Sequence, residues 1–159
     1  MLIFFGFTPM DYKQKIPGDI PLLEMTNFEM HELDTEGLQT IMVGDVALRF
    51  KDRYVVEKID FTDATKNLIS NMKANHGIYK GNVVDLKGNV VYYREDGIAL
   101  ETETLNYNTV TAIAQTNDKY VAFQDQNTMY GTSMIYDTLI GKMDSKNVLI
   151  NYKLSEKKK

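Results

Sequence analysis

The chain has 159 residues, of which 43% are apolar, and it contains no Cys. This composition indicates one globular domain and excludes wholesale disorder, a multi-span membrane protein, thiol catalysis and Cys-based zinc sites. The net charge of −4, from 18 Lys and Arg against 22 Asp and Glu, argues against a nucleic-acid-binding protein, because such binding needs a basic face.

The chain begins with an apolar run, Met1 to Phe7, which is much shorter than the about 20 residues of a membrane-spanning helix. This run is either a loosely packed terminus or the outer end of a membrane anchor. The polar, Pro-containing segment from Asp11 to Pro21 is typical of an extended linker. We therefore expect residues 1–21 to be the remnant of an N-terminal anchor with its linker, residues 22–154 to form the folded domain and residues 155–159 to form a charged tail.

After the linker there is no further Pro, and short runs alternate between apolar and polar residues. Such alternation is typical of an antiparallel sheet with one buried face. In one run the predicted inner face holds Val84, Leu86, Val90 and Tyr92. In an earlier run the predicted inner face holds Val46, Leu48 and Phe50, with Ala47 on the opposite face.

Turn residues separate these runs at regular intervals. The predicted turns lie at 35–37, 51–53, 80–82, 95–97, 116–119 and 125–127. This spacing predicts an all-β fold. The segment from Phe61 to Met72 has a weak helical pattern, but it contains poor helix formers such as Asn67 and Asn71, so we predict a hairpin there.

Three tyrosines, Tyr79, Tyr107 and Tyr136, mark an internal repeat with spacings of 28 and 29 residues. Seven residues before each Tyr lies an apolar residue, five residues before it lies a small one, and a polar turn follows it. The apolar positions are Met72, Leu100 and Met129, and the small ones are Ala74, Thr102 and Gly131.

The repeat contains a break in the two-residue alternation. Leu105 and Met134 lie three residues after the small positions Thr102 and Gly131, whereas alternation along one face requires an even step. Such a break predicts a bulge or a corner between two sheets. A generic hairpin meander is the alternative.

Three segments of the chain resemble the LptC family of lipopolysaccharide-transport proteins. They are EMTNFEMHELDTEGLQTIMVG (24–44), MKANHGIYKGNVVDLKGNVVYYREDGIALETETLNY (72–107) and MYGTSMIYDTLIGKMDSKNV (129–148). The last two look like the family's pattern of Ala, Gly and Tyr, then Leu-x-Gly-x-Val, then a Gly turn. The resemblance covers roughly residues 22–154.

This resemblance implies a single twisted antiparallel β-jellyroll of the OstA-like type, open at one side, whose apolar interior holds the acyl chains of lipid A. It implies that the protein receives lipopolysaccharide from the inner-membrane ABC transporter and passes it to a bridging periplasmic jellyroll protein. Family members begin with a membrane helix, so the implied location is the periplasmic face of the inner membrane. The alternatives are the soluble bridging jellyroll itself and a carbohydrate-binding β-sandwich.

The inner positions and the nine Met residues favour an adaptable apolar lining. The predicted lipid-binding groove consists of Met30, Met72, Tyr79, Leu86, Leu100, Leu105, Tyr107, Met129, Met134, Tyr136 and Met143. Burying acyl chains contributes roughly 0.8 kcal/mol per methylene, so a lipid carrier needs no acid, base or nucleophile. An ordinary sandwich core is the alternative interpretation of the same residues.

Candidate catalytic and metal sites are weakly supported. His31 and His76 suggest a two-His metal site, and Glu101 and Glu103 suggest a carboxylate pair, but solvated positions on an exposed sheet face explain all four. The sequence has no nucleophile elbow, phosphate loop or dinucleotide fingerprint. We therefore expect no enzyme, no cofactor and no metal.

The last predicted strand, Lys146 to Leu154, alternates and contains no Pro that would block pairing. The resemblance implies that this edge receives the first strand of the bridging protein by β-augmentation. The predicted docking residues are Val148, Leu149, Ile150, Asn151 and Tyr152. Lys146 and Lys153 are either gatekeepers against self-pairing or ordinary solubilising charges.

Overall fold

The structure, a computed structural model, describes residues 20–37 and 39–154. The anchor and most of the linker predicted for residues 1–21, and the tail at 155–159, lie outside these residues. The described part of the chain contains strands and no helix, so it also has no helix that could cross a membrane. The strands are β1 Leu23–Leu33, β2 Gln39–Arg49, β3 Tyr54–Asp63, β4 Ser70–Lys80, β5 Val83–Arg94, β6 Ala99–Asn108, β7 Ile113–Thr116, β8 Tyr120–Gln124, β9 Asn127–Gly131, β10 Ser133–Asp137, β11 Lys142–Lys146 and β12 Leu149–Asn151.

All strands belong to one antiparallel sheet, in which β1 to β6 pair in sequence order. The last three long strands are each interrupted and consist of two short strands that lie end to end. These are β7 with β8, β9 with β10 and β11 with β12. In the described residues β1 pairs only with β2, and β12 pairs only with β9. The prediction of an open, all-β antiparallel fold is confirmed, as is the hairpin between β3 and β4.

The predicted break in alternation is also confirmed. In β6 both Thr102 and Leu105 are buried, and the register with β5 shifts by one residue between them. Gly131 and Met134 are buried in the same way at the junction of β9 and β10. In β4 the register shifts just after Lys73. Each strand therefore turns a different set of side chains inward on either side of the break.

These breaks form a line across the sheet. On β1, β3 and β5 the line is marked by Asn27, Lys58 and Asn89, whose φ angles of 49°, 55° and 49° lie in the left-handed region. Such a conformation costs free energy for residues other than Gly, and it redirects the strand. The line divides the sheet into two halves that fold toward each other.

We define the halves by their inner residues. The first half-sheet contains the row of register partners Met42, Phe61, Met72, Tyr92 and Leu100. The second half-sheet contains the row Tyr54, Tyr79, Val84, Tyr107, Ala114 and Tyr136. The ring centroids of Phe61 and Tyr79 lie 5.6 Å apart, which shows that the two inner faces pack against each other.

One predicted face is wrong because of this line. Between Val46 and Phe50 the buried residue is Ala47, whereas Val46 and Leu48 are only partly buried. Alternation from Val46 through Phe50 does not show that the break lies between Gly44 and Ala47. The inner face predicted for β5, from Val84 to Tyr92, is confirmed.

The third repeat has its small residue, Gly131, beside the break because a larger side chain would meet its neighbours there. A Cβ atom on Gly131 would lie 2.5 Å from the ring of the buried Tyr120 and 2.7 Å from Oγ of Ser145. We expect Gly131→Ala to lower the free energy of unfolding by about 1–3 kcal/mol, because the ring has to move within a packed interior. Urea denaturation measures this difference. Ile135→Ala, on the exposed face of β10, is the control and should change stability by less than about 0.5 kcal/mol.

Candidate functional site

The two half-sheets enclose an apolar trough that runs across the strands. All eleven residues predicted for the groove belong to its lining: eight are buried, and Met30, Met129 and Met143 are partly buried and pack against them. The three repeat tyrosines are among the buried eight. The structure thus brings the predicted residues together, while the prediction that they bind lipid remains a prediction.

Two large inner residues, Phe61 and Met42, were missed by the sequence analysis. Both are among the largest fully buried side chains, as is Tyr92, which was predicted to face inward but was not assigned to the groove. They share one row with Met72 and Leu100, which were assigned. The signal that would have found them is the strand register, which alternation within one strand does not supply.

The open side of the trough, where the strand ends of the two half-sheets approach each other, is lined by polar groups. We call this open side the mouth. Tyr107 donates a hydrogen bond of 2.6 Å from its hydroxyl to the carboxylate of Asp63, which is fully buried. Asp63 also accepts bonds from the backbone N–H and the hydroxyl of Thr65. These contacts satisfy a charge that would otherwise be costly to bury.

Three further contacts cross the mouth. The hydroxyl of Tyr79 donates to Glu32 at 3.2 Å, and the guanidinium of Arg94 lies 5.5 Å from the ring centroid of Tyr136. Arg94 also donates a bond of 2.8 Å to the carbonyl oxygen of Thr138. Each repeat tyrosine therefore contacts a charged residue of the first half-sheet.

The phenols at the mouth stay protonated. Burial raises the pKa of Tyr107, and hydrogen bonding to Asp63 raises it further. Burial likewise raises the pKa of Tyr79, with a further contribution from the charge of Glu32. Burial also raises the pKa of Tyr92, which bonds to Ser70, to about 12. Tyr79 and Tyr107 can therefore act as hydrogen-bond donors throughout the physiological pH range.

The trough opens at its C-terminal end. There a cleft of about 250 Å³ separates the last strands, and its lining joins trough residues to the chain end. Its walls include Met129, Tyr136, Met143, Ile150 and Tyr152. Three of these were predicted as groove residues and two as docking residues, so the two predicted sites meet in one place.

The predicted docking residues all lie at the outer edge of the sheet and are exposed. Leu149, Ile150 and Asn151 form β12, which pairs with β9 on one side only among the described residues. The last strand is not continuous as predicted, because Asn147, with a φ of 53°, separates β11 from β12.

The residues weighed as alternatives lie on outer surfaces. The ring nitrogens of His31 and His76 bond to different carboxylates, Glu29 at 2.5 Å and Glu57 at 2.7 Å. Hydrogen bonding to Glu29 raises the pKa of His31. Within the described residues no group of three His, Asp or Glu side chains could hold a metal ion.

Glu101 and Glu103 are exposed on β6, as expected for an outer sheet face. The repeat tyrosines point inward and are not available for stacking on a sugar. Of the other exposed aromatic residues, the strand register places three on the outer face of the first half-sheet: Tyr93, Phe123 and Tyr130.

Comparison with protein families adds one finding to this geometry. The model of the LptC family, described as lipopolysaccharide-assembly, LptC-related, matches residues 9–146. The chain belongs to the LptC family. Comparison with curated proteins gives no match. Membership of the LptC family assigns the protein a role in lipopolysaccharide transport as a periplasmic component of the cell envelope.

The ion pair of Arg94 with Asp96 at the mouth of this LptC protein generates a prediction. Two bonds, of 2.8 and 2.7 Å, join the guanidinium to the carboxylate. The bond from Arg94 holds the pKa of Asp96 below its ordinary value of 3.8. A lowered pKa means that the pair stabilises the fold above pH 3.8 and loses this contribution as the pH falls below it.

We expect Asp96→Asn to lower the free energy of unfolding by about 1–2 kcal/mol at pH 7, since the nearly buried Arg94 loses its charged partner. The difference from wild type should shrink as the pH falls below 3.8. Thermal unfolding across this range measures it. Asp144→Asn is the matched control, because Asp144 pairs with Lys142 at 3.7 Å on the surface. A pH-independent difference for Asp96→Asn would contradict the assignment.

Proposed function

We propose that this LptC protein carries lipopolysaccharide with the acyl chains of lipid A between its two half-sheets. The observation that carries the proposal is that all eleven predicted groove residues converge on one apolar trough. Met side chains line both ends of this trough. Met30 lies on β1, Met129 on β9 and Met143 on β11. Flexible, unbranched side chains at these places can adapt to acyl chains of different length.

The cleft supports a proposal for the direction of transfer. The trough is packed in its centre, whereas Met129 and Met143 are partly exposed at the C-terminal cleft. An acyl chain that leaves the trough here meets Ile150 and Tyr152 directly. We propose that the lipid passes from this LptC protein to the bridging jellyroll at this end, with the docked strand continuing the trough.

We further propose that the native protein is held at the periplasmic face of the inner membrane by a single N-terminal anchor. Residues 1–7 would form its outer end, and the inner-membrane ABC transporter would deliver the lipid. The apolar run followed by a Pro-containing linker supports this location. The alternative, a soluble bridging jellyroll of the same pathway, has the same trough but no anchor.

The lipid path is tested by site-specific photo-crosslinking. We expect crosslinkers at Leu105 and Met134 to capture lipopolysaccharide, because both side chains are buried in the trough. Crosslinkers at Lys87 and Glu103, which are exposed on the outer face, should not capture it. Immunoblotting for lipopolysaccharide on the crosslinked protein provides the measurement.

Ile135 is the closest control, since it follows Met134 directly and is exposed on the opposite face of β10. Comparing these two neighbours separates the effect of the face from that of the position along the trough. Equal capture from both faces would exclude the trough as the lipid path.

Docking of the bridging jellyroll is tested with Pro substitutions in β12. The N–H of Lys153 bonds to Oδ1 of Asn127, which belongs to β9, at 3.3 Å. Because successive N–H groups point to opposite edges of a strand, Asn151 should also face β9 and Ile150 should face the open edge. We expect Ile150→Pro to weaken capture of the purified bridging jellyroll at least tenfold, since it removes a donor from that edge.

The control is Ile150→Ala, which removes the same side chain and keeps the N–H. Circular dichroism must show that both variants are folded. A pull-down that separates the two variants supports backbone pairing. If a folded Ile150→Pro protein binds as well as wild type, the bridging jellyroll docks on another edge.

A further inference from the structure

The contacts across the mouth follow a regular pattern. Glu32, Asp63 and Arg94 are spaced by 31 residues and lie at corresponding strand ends of the first half-sheet, on β1, β3 and β5. Each contacts one repeat tyrosine of the second half-sheet. The pairs are Glu32 with Tyr79, Asp63 with Tyr107 and Arg94 with Tyr136. We call these three pairs the mouth latch.

The trough behind the latch is closed in its centre. Phe61, Met72 and Tyr107 are each 0% exposed, and the rings of Phe61 and Tyr79 are in contact. Interiors packed in this way have no room for an additional chain. An acyl chain can therefore lie in the centre of the trough only after the half-sheets have separated at the mouth, and this separation breaks the latch.

Breaking the latch exposes groups that need partners. Asp63 is 0% exposed and Arg94 is 6% exposed, and the contacts described above satisfy both charges. A hydrocarbon that enters between the half-sheets cannot replace the lost contacts, because it has no hydrogen-bonding groups. The two charges would then lack these contacts, which is strongly unfavourable. A ligand with hydroxyl and anionic groups at its head can replace the lost contacts, donating to Asp63 and Glu32 and accepting from Arg94 and the tyrosine hydroxyls.

We propose that the mouth latch keeps the trough shut and that it is opened by an anionic glycolipid whose head group takes over the latch contacts. The proposal rests on the lipid-carrying function proposed above and adds to it the residues that select the ligand. Glu32, Asp63, Arg94 and the three repeat tyrosines then determine specificity by the head group, while the trough accepts the acyl chains of any lipid.

Opening is measured by the distance between two spin labels. Leu68 lies in the turn after β3 and Val110 in the turn after β6, on opposite sides of the Asp63 to Tyr107 pair, and both are exposed. Because the chain contains no Cys, Leu68→Cys with Val110→Cys gives a doubly labelled protein without further changes. We expect lipopolysaccharide to add a population with a longer distance, and methyl palmitate, which has acyl carbon but no sugar or charge, to add none.

Variants of the latch test the same proposal without ligand. Tyr107→Phe combined with Asp63→Asn removes the contact and the buried charge together, and Tyr79→Phe removes the bond to Glu32. We expect both variants to show the longer distance before lipid is added. We also expect the crosslinker at Leu105 to capture lipopolysaccharide about three to ten times faster in these variants than in wild type. Methyl palmitate should increase the population with the longer distance in these variants as well.

Tyr120→Phe is the matched control. It removes one phenol hydroxyl that also joins the two half-sheets, to Ser145 at 2.5 Å, but at the line of breaks rather than at the mouth. This variant should keep the short distance and the wild-type capture rate. Thermal unfolding identifies any variant that is unfolded, and Tyr79→Phe, which keeps Asp63 paired, then carries the test.

The outcomes separate this proposal from the proposed function. If Leu105 captures no lipopolysaccharide in wild type, the carrier function itself is wrong. If capture occurs but the folded latch variants match Tyr120→Phe in distance and rate, the latch does not control entry. Opening of the wild-type mouth by methyl palmitate as readily as by lipopolysaccharide would overturn the selection by the head group.

Discussion

The whole structure depends on the interruption of two-residue alternation along one line of the sheet. A continuous sheet of nine long antiparallel strands would place its apolar side chains on one open face. The breaks near Lys58, at Thr102 to Leu105 and at Gly131 to Met134 turn each long strand so that its two ends face each other. The two halves of one sheet thereby pack against each other, so a single meander of strands can bury a core without helices or disulfides.

Tyrosine side chains close this fold along its open side. The side chain provides an apolar ring for the trough and a polar hydroxyl for the mouth. At Tyr79 and Tyr107 burial raises the pKa, so the hydroxyl donates to a carboxylate rather than adding a second negative charge. The mouth is thus held by hydrogen bonds and one cation–aromatic contact rather than by a packed apolar seam.

The two ends of the sheet differ in a way that matters for transport. At the first end β1 pairs with β2, while at the last end the exposed residues Leu149, Ile150 and Tyr152 border a cleft into the trough. Unpaired strand edges promote association with another strand. In the docking that we propose, the partner's strand would add to this edge beside the apolar cleft.

The sequence by itself identified the family, through the resemblance of three segments to the LptC family. It also determined the all-β class, the repeat and its tyrosines, because these depend on local alternation, turn residues and the spacing between units. It also identified residues that share the trough, from Met72 to Met143. The tertiary structure decided that Ala47 rather than Val46 faces inward, since alternation within β2 alone does not show where the line of breaks crosses this strand. It also decided which charged residues meet the tyrosines: Glu32 lies 47 residues from Tyr79, and only the folding of one half-sheet onto the other brings them together.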